Sequence, residues 1–152
     1  MSGVAYTVRL AQWARDEAAL KAVRHDVFIV EQRVPANLEW DDVDRECVHA
    51  LALDAQGKAI GCGRLLPDGH IGRMAVRREW RGRGVGASLL RELIDAARDR
   101  GHARVVLNAQ VQAMPFYARF GFAACGAPFD EAGIPHQAME RTLTASCEPP
   151  TG

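Results

Sequence analysis

Ile71-Gly72-Arg73-Met74-Ala75-Val76, followed by Arg81-Gly82-Arg83-Gly84-Val85-Gly86-Ala87, decides how this chain folds. His70 to Val76 is short and apolar, as a strand should be. Ser88 to Arg100 places Leu89, Leu90, Leu93, Ile94 and Ala97 on one helical face and ends at Gly101, a natural C-cap position. A glycine-dense turn between strand and helix gathers backbone N–H groups at the positive end of the helix dipole. Its three glycines let the backbone approach a ligand without Cβ atoms in the way, and Arg81 and Arg83 add positive charge. Such a turn suits a phosphate or pyrophosphate.

A dinucleotide fingerprint does not fit, because Gly86 follows Gly84 one position too early for G-x-G-x-x-G. The next predicted strand also lacks a terminal acid, since Leu107 leads to Asn108 and Ala109. No Gly-Lys-[Ser/Thr] follows, so the turn is not a P-loop. A plain tight strand–helix connection is the remaining alternative.

Outward from this centre, Tyr6 to Leu10 alternates as a half-buried strand. Asp16 is expected to cap a helix carrying Ala19, Leu20, Val23, Val27, Phe28 and Val30 on one face. Glu31 to Glu46 loses periodicity and is expected as a loop or short helix. Cys47 to Leu53 and Lys58 to Leu66 read as strands joined by the turn sequence Asp54-Ala55-Gln56-Gly57. Arg104 to Ala109 is expected as a strand and Gln112 to Phe120 as a short helix with Pro115 in its first turn. Phe122 to Cys125 and Gln137 to Thr142 complete the strands. The polar, proline-bearing stretch 144–152 is expected to be a disordered tail after one domain, 1–143.

Composition excludes more than it identifies. With 152 residues, 48% of them hydrophobic, the chain suits one domain with a real core. Nineteen basic residues balance nineteen acidic ones, so charge offers no argument for nucleic acid or an anionic membrane surface. No apolar run is long enough to span a bilayer, and Met1 to Ala5 lacks the features of a signal peptide. The expected setting is therefore cytoplasmic, with Cys47, Cys62, Cys125 and Cys147 as reduced thiols. Scattered histidines and cysteines give no reason to expect a metal site.

Three features occur in order: the strand 71–76, the turn Arg81 to Gly86 matching [Q/R]-x-x-G-x-[G/A], and Phe116-Tyr117-Ala118-Arg119-Phe120-Gly121-Phe122 thirty residues on. The ordered set resembles the GNAT superfamily of acyl-CoA-dependent N-acyltransferases. Val27-Phe28-Ile29-Val30-Glu31-Gln32, Glu39-x-Asp41-x-x-Asp44 and Gly133-Ile134-Pro135-His136 are similar to its ElaA-type branch. The resemblance implies a three-layer α+β fold: a mixed, mostly antiparallel sheet of about seven strands, splayed at its centre, with helices on both faces. It also implies acetyl-CoA as co-substrate and leaves the acceptor open; the neutral net charge and the acidic loop favour a small-molecule amine over a protein.

Residue by residue, the resemblance places the pyrophosphate on the amides of Arg81, Gly82, Arg83, Gly84, Val85, Gly86 and Ala87. The pantetheine arm would pair with the strand at Met74, Ala75 and Val76, the Val76 N–H serving as oxyanion donor. Tyr117 matches the tyrosine that protonates the departing thiolate in many members. Considered alone, it also reads as a core tyrosine beside Phe116 and Phe120. Gln110 stands where many members have an asparagine contacting coenzyme or tyrosine.

A thiol of pKa about 8.5 leaves readily, so acid assistance helps without being indispensable. A lysine-like acceptor costs about 4–5 kcal/mol to neutralise at pH 7, so something must take its proton. Glu31 and His136 are the candidate bases, and Glu31, Asp44 and His136 the candidate acceptor contacts; a solvated acidic loop and a surface histidine are the alternatives. Asp42 and Glu46 read as solvated, His49 and His70 as structural, and Arg64 and Arg73 as strand-surface salt bridges, with contacts to an anionic acceptor group as the alternative. Trp13, Trp40 and Trp80 read as packing residues, and Cys125 has no nucleophilic role in direct transfer.

Overall fold

Alternating apolar residues and glycine-bearing turns build one eight-stranded sheet in the order β1-β2-β3-β4-β5-β8-β6, with β7 paired to β8. The computed structural model describes residues 5–36, 40, 43–131 and 133–143. Glu39, Asp41 and Asp42 of the acidic segment, Cys147, and the expected tail 144–152 lie outside the described residues. The strands are β1 (Tyr6–Ala11), β2 (Val48–Asp54), β3 (Ala59–Leu65), β4 (His70–Val76), β5 (Arg104–Gln110), β6 (Ala123–Ala124), β7 (Phe129–Glu131) and β8 (Ile134–Thr142). Every neighbouring pair is antiparallel except β4 with β5. No helix among the described residues is long and apolar enough to cross a membrane.

Helices cover both faces. On one, α2 (Val85–Asp99) buries Leu89, Leu90, Leu93, Ile94 and Ala97 against Ile60, Leu65, Ile71, Val105 and Leu107. On the other, α1 (Trp13–Arg24) sets Leu20 and Val23 over Leu51, Cys62 and Ala75. α2 ends in a Schellman motif: Gly101, at φ +83°, donates to Arg98 and His102 donates to Ala97. A short helix, α3 (Met114–Ala118), follows a 3₁₀ turn and holds Pro115 in its first turn.

Several boundaries differ from the sequence reading, each for a local reason. α1 begins at Trp13, and Asp16 caps it from inside its first turn by accepting the Gln12 N–H at 3.0 Å. The helix continues as a π-helix over His25–Glu31, which rotates Val30 off the apolar face to 60% exposure. α2 starts at Val85 because Gly84, at φ +86°, is its N-cap, so the last residues of the glycine turn are already helical. β8 begins at Ile134, which places His136 inside a strand rather than in a loop. β7 was not expected at all; its three residues are exposed and carry no alternation.

The acidic segment is only partly solvated. Asp44 is 3% exposed, and its Oδ1 accepts from Arg24 and Arg64, both at 2.8 Å. His49 Nε2 meets the Asp44 carbonyl at 2.8 Å and stacks on Trp13. This network ties α1 to β2 and β3. Asp44→Asn is expected to cost about 3–5 kcal/mol in urea unfolding, because it leaves two buried guanidiniums without their carboxylate.

Asp16 makes a second prediction. The Arg9 side chain holds its carboxyl well below the usual range, outweighing the burial that opposes it, with Arg15 and the Gln12 amide adding to the effect. A lowered folded-state pKa means the stabilisation is complete above about pH 4 and fades as pH falls further. Asp16→Asn should therefore be less stable than wild type at neutral pH and converge on it in acid, read from melting temperature against pH.

Candidate active site

The central parallel pair joins only at His70↔Val106 and Ile71↔Leu107. Beyond Ile71 the two strands part, and the β4 edge that faced β5 has no strand on it. A bulge opposite Gly63, with Arg73 at φ +50°, bends β4 at this point. Arg77 donates to Ile60 at 2.9 Å, so by antiparallel alternation the polar groups of Val76 point away from β3, into the opening. The Val76 carbonyl accepts from Arg81 Nε at 2.9 Å, and its N–H lies on the same open edge.

The glycine turn stands at the wide end of this opening. The first helical bond of α2 closes at Ser88 N–H to Gly84 O, 3.0 Å. The amides of Val85, Gly86 and Ala87 precede it, and no side chain caps them. These three are the donors that an anion at this helix start would take. Two expectations for the turn are corrected. The Arg81 amide already donates to Arg78 O at 3.2 Å. The Arg81 side chain is a clamp rather than a free cation, donating to both oxygens of Glu31 at 2.6 and 2.7 Å. Arg83 stacks over Trp80 at 5.3 Å and is the turn's exposed charge.

A cavity of about 600 Å³ lies where β4 and β5 part, bounded by the π-helix and the β7–β8 hairpin. Met74, Gln110, Tyr117 and His136, all named from the sequence, line it together. Tyr117 packs against Phe116 and Phe122, and burial pushes its phenol up to about 12, so it stays protonated at neutral pH. His136 is 8% exposed, and its Nδ1 donates to the Ile134 carbonyl at 2.7 Å. That bond places a proton on Nδ1 and leaves Nε2 as the nitrogen that can exchange one. Phe129 stacks on the ring from the neighbouring strand.

Glu31 and Asp44 do not line this cavity. The Arg81 guanidinium holds the Glu31 carboxyl below its usual range, so Glu31 is occupied as an anion. Asp44 is buried in its arginine pair. The Gln110 amide donates to Gln32 at 2.9 Å and accepts from Gln112 at 2.7 Å. Arg64 makes a salt bridge, but a buried one with Asp44, and with Arg73 it lines the cavity wall. Sequence reasoning missed Gln32, Glu131 and the role of Arg24. For Arg24 a signal existed: it stands four residues after Leu20 and three before Val27, on the buried face.

The family model described as Acetyltransferase (GNAT) domain matches residues 14–143. The chain belongs to the GNAT acetyltransferase family. "Uncharacterized N-acetyltransferase YjcF" of Bacillus subtilis is 39% identical over 133 residues, covering 83% of this chain and 94% of the relative. "Protein ElaA" of Escherichia coli is 32% identical over 132 residues, covering 82% and 86%. The crystal structure of an acyl-CoA N-acyltransferase from Pseudomonas aeruginosa superposes with a TM-score of 0.79 at 30% identity, covering 90% of this chain and 99% of that one. The protein is thus a GNAT acyltransferase of the ElaA type.

The Glu31–Arg81 pair crosses from the π-helix to the turn and is the contact most open to a mild test. Both partners are part-exposed, so Glu31→Gln should cost less than about 1 kcal/mol of global stability. Loss of the clamp should show instead as several-fold weaker acetyl-CoA binding, measured by titration calorimetry.

Proposed function

We propose that this protein transfers an acetyl group from acetyl-CoA to a primary amine by direct attack within a ternary complex. The observation that carries the proposal is a juxtaposition. An unpaired β4 edge runs from the cavity to three uncapped helix-start amides, with a protonated tyrosine on α3 beside it. Acetyl-CoA supplies the reactive acyl thioester. The Val85, Gly86 and Ala87 amides suit its pyrophosphate, with Gly82 and Gly84 keeping Cβ atoms out of the turn. The open edge at Met74 to Val76 offers hydrogen bonds to its pantetheine amides.

The Val76 N–H then donates to the thioester carbonyl oxygen as charge grows there. Tyr117 gives its proton to the departing sulfur, which its high pKa keeps available. His136 Nε2 takes the proton of the incoming amine, since the Ile134 bond occupies Nδ1. Glu31 takes no proton in this scheme, since Arg81 engages both of its oxygens. The acceptor is a small molecule, and the chemistry needs no metal ion.

Acetyl-CoA should raise the melting temperature where NAD does not, and thiol release should depend on an added amine. Tyr117→Phe should keep the acetyl-CoA shift while kcat falls by roughly 10²-fold or more. With its phenol at about 12, Tyr117 should cause no loss of rate with rising pH below about pH 10. Acetyl-CoA binding without thiol release to any amine would replace this reading with that of a binding or regulatory domain.

A further inference from the structure

Gly72 is a glycine that the backbone does not require. It sits inside β4, its φ is not in the left-handed region, and no atom of the described residues lies within 4 Å of where its Cβ would be. The two glycines of β3 are different. A Cβ at Gly61 would stand 3.0 Å from Leu89 and 3.1 Å from Val85, and one at Gly63 would stand 2.5 Å from Met74 and 2.9 Å from Leu93. Their missing side chains make room for the core. Glycine within a strand gives up packing and conformational stability, so a glycine facing open space needs another reason.

Its location supplies one. Gly72 pairs with Arg64 across β3–β4 and is the first residue after the last β4–β5 pair, Ile71↔Leu107. It therefore forms the floor of the cavity at the apex of the opening, in a lining that also includes Asn108, Tyr117 and His136. We propose that Gly72 is a specificity-determining residue. The volume its side chain would fill receives the substituent of the acceptor, and the preferred substrates are primary amines bulkier than a short alkylamine. This inference rests on the acyltransferase reading of the site.

Gly72→Ala and Gly72→Val test it, valine being well suited to a strand. Ethylamine serves as the small acceptor, and spermidine and 2-phenylethylamine as the larger ones. The wild type should prefer a larger amine. Gly72→Val should raise that amine's KM by about tenfold or more, the scale on which one added methylene in a pocket discriminates, with Gly72→Ala intermediate. Ethylamine should lose several-fold less than the larger amines, acetyl-CoA affinity should stay within about twofold of wild type, and the melting temperature should hold or rise. A merely structural glycine would lower the melting temperature instead.

Unchanged KM for the larger amines overturns the inference, as does a wild-type preference for ethylamine. A parallel loss of acetyl-CoA affinity overturns it too, because the space would then belong to the donor. Unfolding of both variants has the same consequence, by showing that the backbone needs glycine. A wild type that binds acetyl-CoA and acetylates no amine removes the acyltransferase reading and this inference together. An active wild type whose variants behave identically removes only the inference.

Discussion

The separation of β4 from β5 is the constraint on which the rest of this structure depends. A sheet gains from every rung of its ladder, yet the two central strands meet at two residue pairs and then part. The separation is sustained from both sides. β4 is held to β3 through a bulge, while β5 is paired with β8 along its whole length, from Arg104↔Thr142 to Gln110↔His136. The large apolar cluster under α2 includes residues of both strands and so bridges the gap on one face. On the other face α1 covers β2, β3 and β4, which leaves the cavity beside β5 and β8.

The π-helix contributes to the same geometry. Its Asp26 pairs with Arg77 and its Glu31 with Arg81, so two ion pairs fasten it to the chain leaving β4. Phe28 of this segment and Gln32 just after it line the cavity. The same stretch thus bounds the cavity and steadies the glycine turn. A π-turn also carries an extra residue per hydrogen-bonded ring, a feature that recurs at functional sites in other helices.

Legibility from sequence followed the range of the interactions. β4 and β5 were readable because their apolar runs report burial directly, and α2 because its 3.6-residue stripe does. The π-helix was not, because a stripe at three- and four-residue steps cannot reveal one inserted residue; Val30 was placed on the apolar face for that reason. β7 was hidden because all three of its residues are exposed, and its pairing with β8 is the only sign of it. Asp44 read equally as an acceptor contact or a solvated acid, since both arginines that bury it lie twenty residues away in sequence. In the site, Tyr117 and Gln110 were placed by motif spacing and do line the cavity. Glu31 was misjudged because Arg81, fifty residues on, claims its carboxylate.

The open edge of β4 also bears on how stability depends on occupancy. The Val76 amide proton has no described strand to shield it, so it should exchange with solvent far faster than that of Ala75, which faces β3. Any extended polar chain that settles there finishes an unfinished sheet. Its binding energy then adds to folding energy by mass action, and the protein is at its least stable when its site is empty. Turnover of the chain in a cell would on this account fall as the supply of the molecule that completes the ladder rises.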